Sequence, residues 1–417
     1  MAALAAAFIA SRLLCFTLVA PNWTDLPIYE RYANNILSGQ IPYIDFNIEY
    51  PPLALIFFIL PAFAAKIVGR YDVSYRMLMF LFDLGIIYLM WAMAKYVFGD
   101  NRLKVFRALF FYIILTGISF QLLYDRLDLA VAFLILLSMY FALVLTRWRI
   151  SYVLLWAVVL VKVFPAILFP VLIISQIKMT KKSRQAFADF GLASAVFAFF
   201  MIALIIGFGR WWDQVISYHG HRGIQIESLY ASIVMLSGFL GIPSTINHDF
   251  GSFNIVNSFT PLLAGIAPFL TAISILVVYF LFRRNIHFRK EAKRPASSML
   301  VASLAALFCF VILNKVLSPQ YLLWLFPLAA LTCNDSRHST LIVGLWLLTA
   351  TTTAVLFPYS YPSLVMQKST AVILQIVRNL SLLGLAILAF IDLINPIASN
   401  HILGARGRLK PRARSAK

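Results

Sequence analysis

Acidic residues are scarce in this 417-residue chain: sixteen Asp and Glu stand against thirty-five Lys and Arg, and only 12% of all residues are charged. With 62% hydrophobic residues, the chain lacks the polar surface that a soluble domain of this size needs. It also has only three cysteines, Cys15, Cys309 and Cys333, each in or at the end of an apolar run. Their spacing indicates neither a disulfide framework nor a zinc site. What remains is a polytopic membrane protein.

The excess of basic residues gives a formal net charge of +19. These residues gather in short loops and in a C-terminal tail beside apolar runs, where membrane orientation and anionic lipid explain them. We therefore expect membrane lipids as partners and no nucleic acid. The first apolar run has no basic residues before it and contains Arg12, so we interpret it as a retained span and not as a cleaved signal.

Apolar runs long enough, or nearly long enough, to cross a bilayer recur along the whole chain. The loops between them are too short for a separate soluble domain. The sequence therefore predicts an all-α fold and a single membrane domain over residues 1–417, with about twelve transmembrane helices. The clear runs lie at about 3–20, 74–98, 105–123, 128–146, 186–209, 258–284, 296–314, 319–333, 339–357 and 370–396.

Two further stretches leave the topology open. Residues 51–69 could span or rest in the outer leaflet, and residues 150–177 could form one span or a hairpin of two short ones meeting at Lys162–Pro165. Both arrangements give twelve spans with cytoplasmic termini, because three strongly basic segments, the last of them the tail at 398–417, have to lie inside. We favour an interfacial 51–69 with the hairpin, since this places more basic residues inside and moves Lys162 away from mid-bilayer. Against it, each arm of the hairpin would be only ~20 Å long.

Residues 21–73 are predicted to form the first outward loop, unless 51–69 spans. Within this loop, apolar residues recur at helical spacing and indicate an amphipathic helix that lies flat on the membrane surface. Thr24 or Asp25 can cap the start of this helix, and Gly39 can end it. A second outward loop is predicted at 210–257. The apolar face of the surface helix consists of Ile28, Tyr29, Tyr32, Ala33, Ile36 and Leu37.

The aspartate after the first span, the surface helix and the segment PYIDFNIEYPPLAL resemble the GT-C membrane glycosyltransferases, and specifically family 87. SYHGHRGIQIES at 217–228 and NKVLSPQYLLWLFPL at 314–328 extend the resemblance. It implies a mannosyltransferase-like enzyme of the plasma membrane with an outward-facing active site. Its donor would be a polyprenyl-phosphate-linked sugar and its acceptor a lipid-linked or cell-envelope glycan. Asp25 matches the family's catalytic aspartate, whereas the local pattern alone favours a helix cap at this position.

Sugar transfer with inversion needs one base to take the proton of the acceptor hydroxyl, so a single carboxylate suffices. No second carboxylate is needed to form a covalent intermediate. Nothing in the sequence demands a metal cofactor, although Asp25, Asp125 and Asp128 could hold a divalent metal if they converge.

Other polar residues beside apolar runs are candidates for substrate binding. Glu49 could hold an acceptor hydroxyl or pair with an arginine, and Lys162 could bind a phosphate or extend to the interface without a role. The segment YDRLDLA could bring acidic residues to the active face or form an internal ion pair. Its charged members are Asp125, Arg126 and Asp128.

The two later motifs supply the candidates for phosphate recognition. Arg222 can bind a phosphate bidentately, whereas His219 and His221 are two residues apart and do not suit a shared metal on one helix face. Lys315 and Gln320 interrupt two apolar runs, and a lysine at that depth needs a partner such as the donor phosphate. Glu227 completes the set of substrate-binding candidates in this region.

Two other classes of function fit a polytopic membrane protein. A lipid or solute transporter, such as a flippase, would place polar residues at mid-membrane and often repeats its halves, and neither pattern is visible here. A non-catalytic accessory subunit of an envelope glycan pathway would share the fold and tolerate the loss of Asp25.

Overall fold

A computed structural model describes residues 2–17, 24–285 and 294–395, and the basic tail predicted at 398–417 lies outside these ranges. The described chain is mostly helical. Its helices are α1 (Ala2–Thr17), α2 (Leu26–Leu37), α3 (Ala54–Val68), α4 (Tyr71–Phe98), α5 (Arg102–Ile118), α6 (Phe120–Leu123), α7 (Asp128–Leu143), α8 (Trp148–Val159), α9 (Phe169–Thr180), α10 (Ser183–Phe208), α11 (Trp211–His221), α12 (Leu229–Gly238), α13 (Thr260–Asn285), α14 (Arg294–Leu313), α15 (Leu322–Thr332), α16 (Ser339–Ala354), α17 (Tyr361–Val365) and α18 (Ser369–Ile394).

Six helical segments within the described ranges are long and apolar enough to cross a membrane. Several of the other predicted spans correspond to shorter apolar helices, so the count of about twelve stays a prediction. The protein is an integral membrane protein by the length and composition of these helices. The six segments are Tyr71–Phe98, Ser183–Phe208, Thr260–Arg284, Ala296–Leu313, Ser339–Val365 and Ser369–Ile394.

The all-α prediction missed a small antiparallel sheet between α11 and α13. Its strands are β1 (Ile224–Gln225), β2 (Thr245–Asp249) and β3 (Ser252–Val256), in the order β1-β3-β2. The β2–β3 hairpin closes through Phe250 and Gly251, which both have positive φ (48° and 64°). Two consecutive positive φ values define the tight turn that matches strand twist, and the glycine makes the turn accessible. The strands are too short to give a clear alternating pattern in the sequence.

Helix α2 forms at the position where the amphipathic pattern predicted a helix. Of the predicted apolar face, Tyr29, Tyr32 and Ala33 are buried, whereas Leu37 is exposed. The side chain of Asp25 makes no capping hydrogen bond. Instead, the Thr24 hydroxyl accepts a bond of 3.1 Å from the amide of Leu26. The cap therefore leaves the Asp25 carboxylate available for other contacts.

Helix α3, from the ambiguous stretch 51–69, begins beside the Lys162 turn and packs against α4. The amide of Leu53 donates to the carbonyl of Leu160 (3.0 Å), beside the turn that carries Lys162. At its other end, only Gly69 and Arg70 separate α3 from α4, and the Tyr71 hydroxyl donates back to the carbonyl of Phe58 (3.1 Å). With fifteen residues, α3 is about 22 Å long, shorter than a bilayer core of about 30 Å.

The second ambiguous stretch, 150–177, does not form one continuous helix. Helix α8 ends at Val159, a short turn carries Lys162, a 3₁₀ helix covers Phe164–Leu168, and α9 follows. At the other end of α8, Arg149 pairs with Asp189 of α10 (2.6 Å), close to where α9 ends and α10 begins. Both helices therefore run between the Lys162 turn and the opposite end of the helical bundle.

A buried ion pair joins α1 to α4. Arg12, which interrupts the first apolar run, contacts Asp83 at 2.6 Å, and both side chains are almost fully buried. The hydroxyls of Tyr112 and Tyr124 each donate to Asp83 at 2.8 Å. A buried charge that is paired and hydrogen-bonded in this way is tolerated inside the apolar core, and removing one partner would be strongly destabilising.

Candidate active site

A cavity of about 1140 Å³ opens at the end of the bundle where α7 begins and the Lys162 turn lies. Its lining comes from polar segments that are far apart in the sequence, since helix ends and loops meet there. Asp125 and Asp128 are not among the lining residues. The nine other predicted site residues all line the cavity: Asp25, Glu49, Arg126, Lys162, His219, Arg222, Glu227, Lys315 and Gln320.

Asp25 lies between two partners at the start of α2. One carboxylate oxygen pairs with the guanidinium of Arg126, and the other accepts a bond from the Tyr29 hydroxyl at 3.3 Å. The side chain remains 24% exposed, towards the cavity. A carboxylate offers about four lone-pair positions, so Asp25 can accept a further hydroxyl while these two contacts hold it.

Residues 124–128, which we name the 124–128 clasp, contact three parts of the fold: α4, the start of α2 and the Lys162 turn. Tyr124 reaches Asp83, and Asp125 accepts two bonds from Arg76 of α4, at 2.7 and 3.2 Å. The other two charged residues of the clasp, Arg126 and Asp128, pair with residues that line the cavity. Arg126 pairs with Asp25, and Asp128 pairs with Lys162 at 2.6 Å.

The acids that could have shared a metal do not converge. Each of Asp25, Asp125 and Asp128 pairs with a different cation. Among residues 2–17, 24–285 and 294–395, no group of three or more His, Cys, Asp or Glu side chains is placed to hold a metal ion. Each carboxylate instead holds one cation in position by an ion pair.

Two of the four cations that line the cavity have no ion pair within the described chain. The Lys315 ammonium donates to the carbonyl of Gly220 at 2.7 Å, and the guanidinium of Arg222 lies 5.8 Å from the ring centre of Tyr218. The buried Nε of Arg222 has no hydrogen-bond partner among the described residues. Burial and the charge of Arg222 lower the pKa of Lys315. Two adjacent, unneutralised cations are suited to a phosphate.

Glu49 and His219 also belong to the lining. Burial raises the pKa of Glu49, and the negative charge of Asp25 acts in the same direction while Arg222 opposes it. Burial, with the positive charges of Arg222 and Lys162, lowers the pKa of His219 to about 4. His219 is therefore neutral at physiological pH, where it can exchange hydrogen bonds but cannot supply positive charge.

Glu227 lines the cavity, and its partner Arg378 lies outside the lining. Arg378 of α18 contacts its carboxylate at 3.2 Å, and both side chains are almost fully buried. Arg378 and Asn379 also hydrogen-bond the backbone carbonyl of Glu227. Burial raises the pKa of Glu227 from its ordinary 4.5 to about 7 even though Arg378 favours the charged form.

Sequence reasoning did not identify the residues that hold these groups. Arg76, Arg378 and Tyr29 were not predicted as site residues. Arg76 and Arg378 stand inside long apolar runs, and a cation in such a run signals a buried acidic partner or a functional role. That signal could have identified both arginines, but which acid each one meets depends on tertiary packing.

One face of α13 gives the cavity an apolar wall. Ala264, Pro268, Ala272 and Ile275 recur at helical spacing along this face and all line the cavity. The opposite faces of α13 expose large apolar side chains such as Phe269 and Leu276. The cavity thus extends beside a helix that is long and apolar enough to cross a membrane.

In this integral membrane protein, the cavity combines an apolar side wall with two cations that have no ion pair in the described chain, a lining that is chemically suited to an amphiphilic anion. The sequence model of glycosyltransferase family 87 matches residues 48–313, well over half of the chain. The chain therefore belongs to glycosyltransferase family 87, and the resemblance seen in its motifs is confirmed.

Solved structures to which the chain shows similarity include two of ArnT from Cupriavidus metallidurans. Its apo structure aligns with a TM-score of 0.42 and 14% identity, and its structure bound to undecaprenyl phosphate with a TM-score of 0.43 and 15% identity. Each alignment covers 93% of this chain and 76% of ArnT. No curated protein matches the chain.

Proposed function

We propose that this glycosyltransferase moves a sugar, mannose or a close relative, from a polyprenyl-phosphate donor to a hydroxyl of a lipid-linked or cell-envelope glycan. The proposal rests on one observation: Asp25, Arg222 and Lys315, from three distant parts of the chain, line the same cavity. Membership of family 87 favours a transferase over the transporter that composition alone would permit.

In this mechanism Asp25 is the general base. The acceptor oxygen forms a bond to the anomeric carbon as the bond from that carbon to the phosphate oxygen breaks. The acceptor proton passes to Asp25, and the departing phosphate keeps the bonding electron pair. Attack opposite to the leaving group inverts the anomeric configuration. Arg126 and Tyr29 hold the base in position, which is the kind of preorganisation that such a step needs.

The leaving phosphate is stabilised by Arg222 and Lys315. These are the two lining cations without an ion pair in the described chain, so their charge is available to the substrate. Fixed cations near a developing negative charge lower the barrier most when water is largely excluded. On this basis we propose that the reaction needs no metal ion.

The prenyl tail of the donor lies along the apolar face of α13. Lys315 follows the end of α14, whose Leu313 carbonyl accepts a 2.8 Å bond from Thr271 on the same face of α13. The ammonium is thus at the polar end of the apolar wall. This arrangement suits a lipid whose phosphate sits at the membrane surface while its tail remains in the bilayer.

The cavity is proposed to face outward, with about twelve spans and cytoplasmic termini. Support comes from the basic residues at the opposite end of the bundle, among them Arg147, Arg149, Lys178 and Arg283. Lysine and arginine in short loops favour the cytoplasmic side.

The test uses the purified full-length chain in nanodiscs with a panel of labelled polyprenyl-phosphate sugars and a total lipid extract as acceptor. The expected result is transfer of one label to a more polar lipid. Absence of transfer from every donor, with the protein folded, would contradict the proposal.

A further inference from the structure

Four aromatic side chains form a row along the cavity wall, from Arg126 beside the proposed general base Asp25 to the small sheet. His248 of β2 contacts Phe253 of β3 with ring centres 4.8 Å apart, and Phe253 contacts Tyr361 of α17 at 5.9 Å. Tyr361 contacts Phe357 at 5.5 Å. The guanidinium of Arg126 lies 5.8 Å from the Phe357 ring centre. All four rings line the cavity, and we name them the aromatic wall.

A buried carboxylate lies beside this wall. The amide of Ile226 donates to the carbonyl of Phe253 at 2.9 Å, so Glu227 follows directly after a backbone contact with the wall. Arg378 holds the Glu227 carboxylate from the side away from the cavity. The Glu227 carboxylate, which can accept hydrogen bonds, is therefore held next to the aromatic wall.

We propose that the aromatic wall and Glu227 form the subsite for the acceptor, and that the acceptor is recognised by a sugar ring. A pyranose presents C–H groups on its faces and hydroxyls along its edge. Aromatic rings stack on the C–H faces, and a carboxylate accepts hydrogen bonds from the hydroxyls. This inference rests on the proposed function, and it adds which residues hold the acceptor and which part of the acceptor they recognise.

The position of the wall argues for the acceptor and against the donor. Lys315, which has no ion pair in the described chain, follows α14, whose Leu313 carbonyl accepts a bond from Thr271 on the apolar face of α13, where the donor phosphate and tail are proposed to lie. The aromatic wall instead meets the site at Arg126, the ion-pair partner of Asp25. A sugar stacked at the Phe357 end of the wall would present a hydroxyl towards the base.

The subsite can be tested by binding, independently of catalysis. The full-length protein in nanodiscs is titrated with n-hexyl α-mannoside, with n-hexanol as the probe that lacks the ring, and with a short polyprenyl phosphate. Phe253→Leu removes a ring from the half-buried centre of the wall, and Phe253→Tyr keeps it. His248→Ala removes an exposed ring and carries little risk to folding.

The expected result is that Phe253→Leu and His248→Ala weaken hexyl mannoside binding roughly three- to tenfold and leave polyprenyl phosphate binding unchanged. Phe253→Tyr should bind the mannoside like the wild type. Tyr359→Leu is the matched control, because Tyr359 stands between Phe357 and Tyr361 in the chain but is 65% exposed and outside the cavity lining.

Two results would overturn the subsite. One is equal binding of hexanol and hexyl mannoside by the wild type, and the other is unchanged mannoside binding by His248→Ala and by folded Phe253→Leu. Failure of polyprenyl phosphate to bind the wild type would instead contradict the proposed donor, so the two proposals fail in distinguishable ways.

Discussion

Arg126 forms an ion pair with Asp25, and its neighbour in the chain, Asp125, forms another with Arg76. The residue that holds the proposed base is thus itself held by an adjacent, buried contact to α4. Asp25 lies just before α2, and within the described chain its backbone bonds only to nearby residues of that helix. The orientation of its side chain therefore depends on the ion pair with Arg126. The first two predictions concern the base and the arginine that positions it.

Replacing the proposed base should stop transfer without unfolding the protein. Asp25→Asn keeps the size of the side chain and can still accept from Tyr29, but it cannot take a proton. We expect the rate of sugar transfer to fall by about 10²–10⁴-fold, the usual contribution of general base catalysis. Glu30→Gln, on the exposed side of α2, is the control and should transfer at the wild-type rate. Wild-type activity in Asp25→Asn would contradict the assignment.

Changing Arg126 to lysine tests orientation separately from charge. Lysine supplies the same charge without the planar fork that fixes a carboxylate. We expect kcat to fall by up to about 10²-fold, the loss that a small misplacement can cause, while the affinity for polyprenyl phosphate stays unchanged. Arg31→Lys, on the exposed face of α2, provides the comparison. Weaker donor binding in Arg126→Lys would instead place Arg126 at the phosphate.

Lys315 and Arg222 should determine the affinity for the donor. Removing either charge-assisted contact to a phosphate is expected to weaken polyprenyl phosphate binding about 10- to 100-fold, measured by titration in nanodiscs. Lys181→Ala, after the end of α9, is the control for charge alone. EDTA should leave transfer unchanged if these cations suffice. Loss of activity in EDTA that Mg²⁺ or Mn²⁺ restores would show a metal requirement.

The raised pKa of Glu227 predicts a pH dependence of stability. Its pKa rises from 4.5 in the unfolded chain to about 7 in the native protein, because burial disfavours the charged form. The native state therefore holds more protons than the unfolded state between these values, and the free energy of unfolding decreases as pH rises through this window. We expect the wild-type Tm to fall from pH 4.5 to 7 more steeply than that of Glu227→Gln. Parallel curves would contradict the assignment.

The orientation of α3 can be tested by labelling single cysteines. Cys15, Cys309 and Cys333 are all buried, so the background from an impermeant thiol reagent should be small. Arg70 is exposed just before α4, and Arg102 is exposed after it. If α3 stays on the outer face, Arg70→Cys reacts in intact cells and Arg102→Cys only after permeabilisation. The reverse pattern would show that α3 spans.

The sequence was most informative where local patterns determine structure. The apolar spacing of α2 predicted a helix because burial of one face is a local property, and the polar residues between apolar runs indicated where helix ends meet. Polar and charged residues of a membrane protein are concentrated at the ends of its spans or at functional sites. Nine of the candidates therefore line one cavity.

Pairings between distant residues could not be predicted in the same way. Asp125 and Asp128 resemble the other acidic candidates in sequence, yet neither lines the cavity: Asp125 pairs with Arg76, which is also outside the lining, and Asp128 pairs with Lys162, which belongs to the lining. The sheet was missed because its strands have two to five residues and because β1 pairs with β3 across α12. Both features depend on three-dimensional packing, which no short window of sequence contains.

The 124–128 clasp also limits how this chain can change over evolutionary time. Four of its five side chains have distant partners, so a substitution at one of them leaves a charged or polar group stranded. Neutral drift at Arg76, Asp83 or Lys162 should therefore proceed by compensatory double exchanges, and an insertion between Tyr124 and Asp128 would shift every partnership at once.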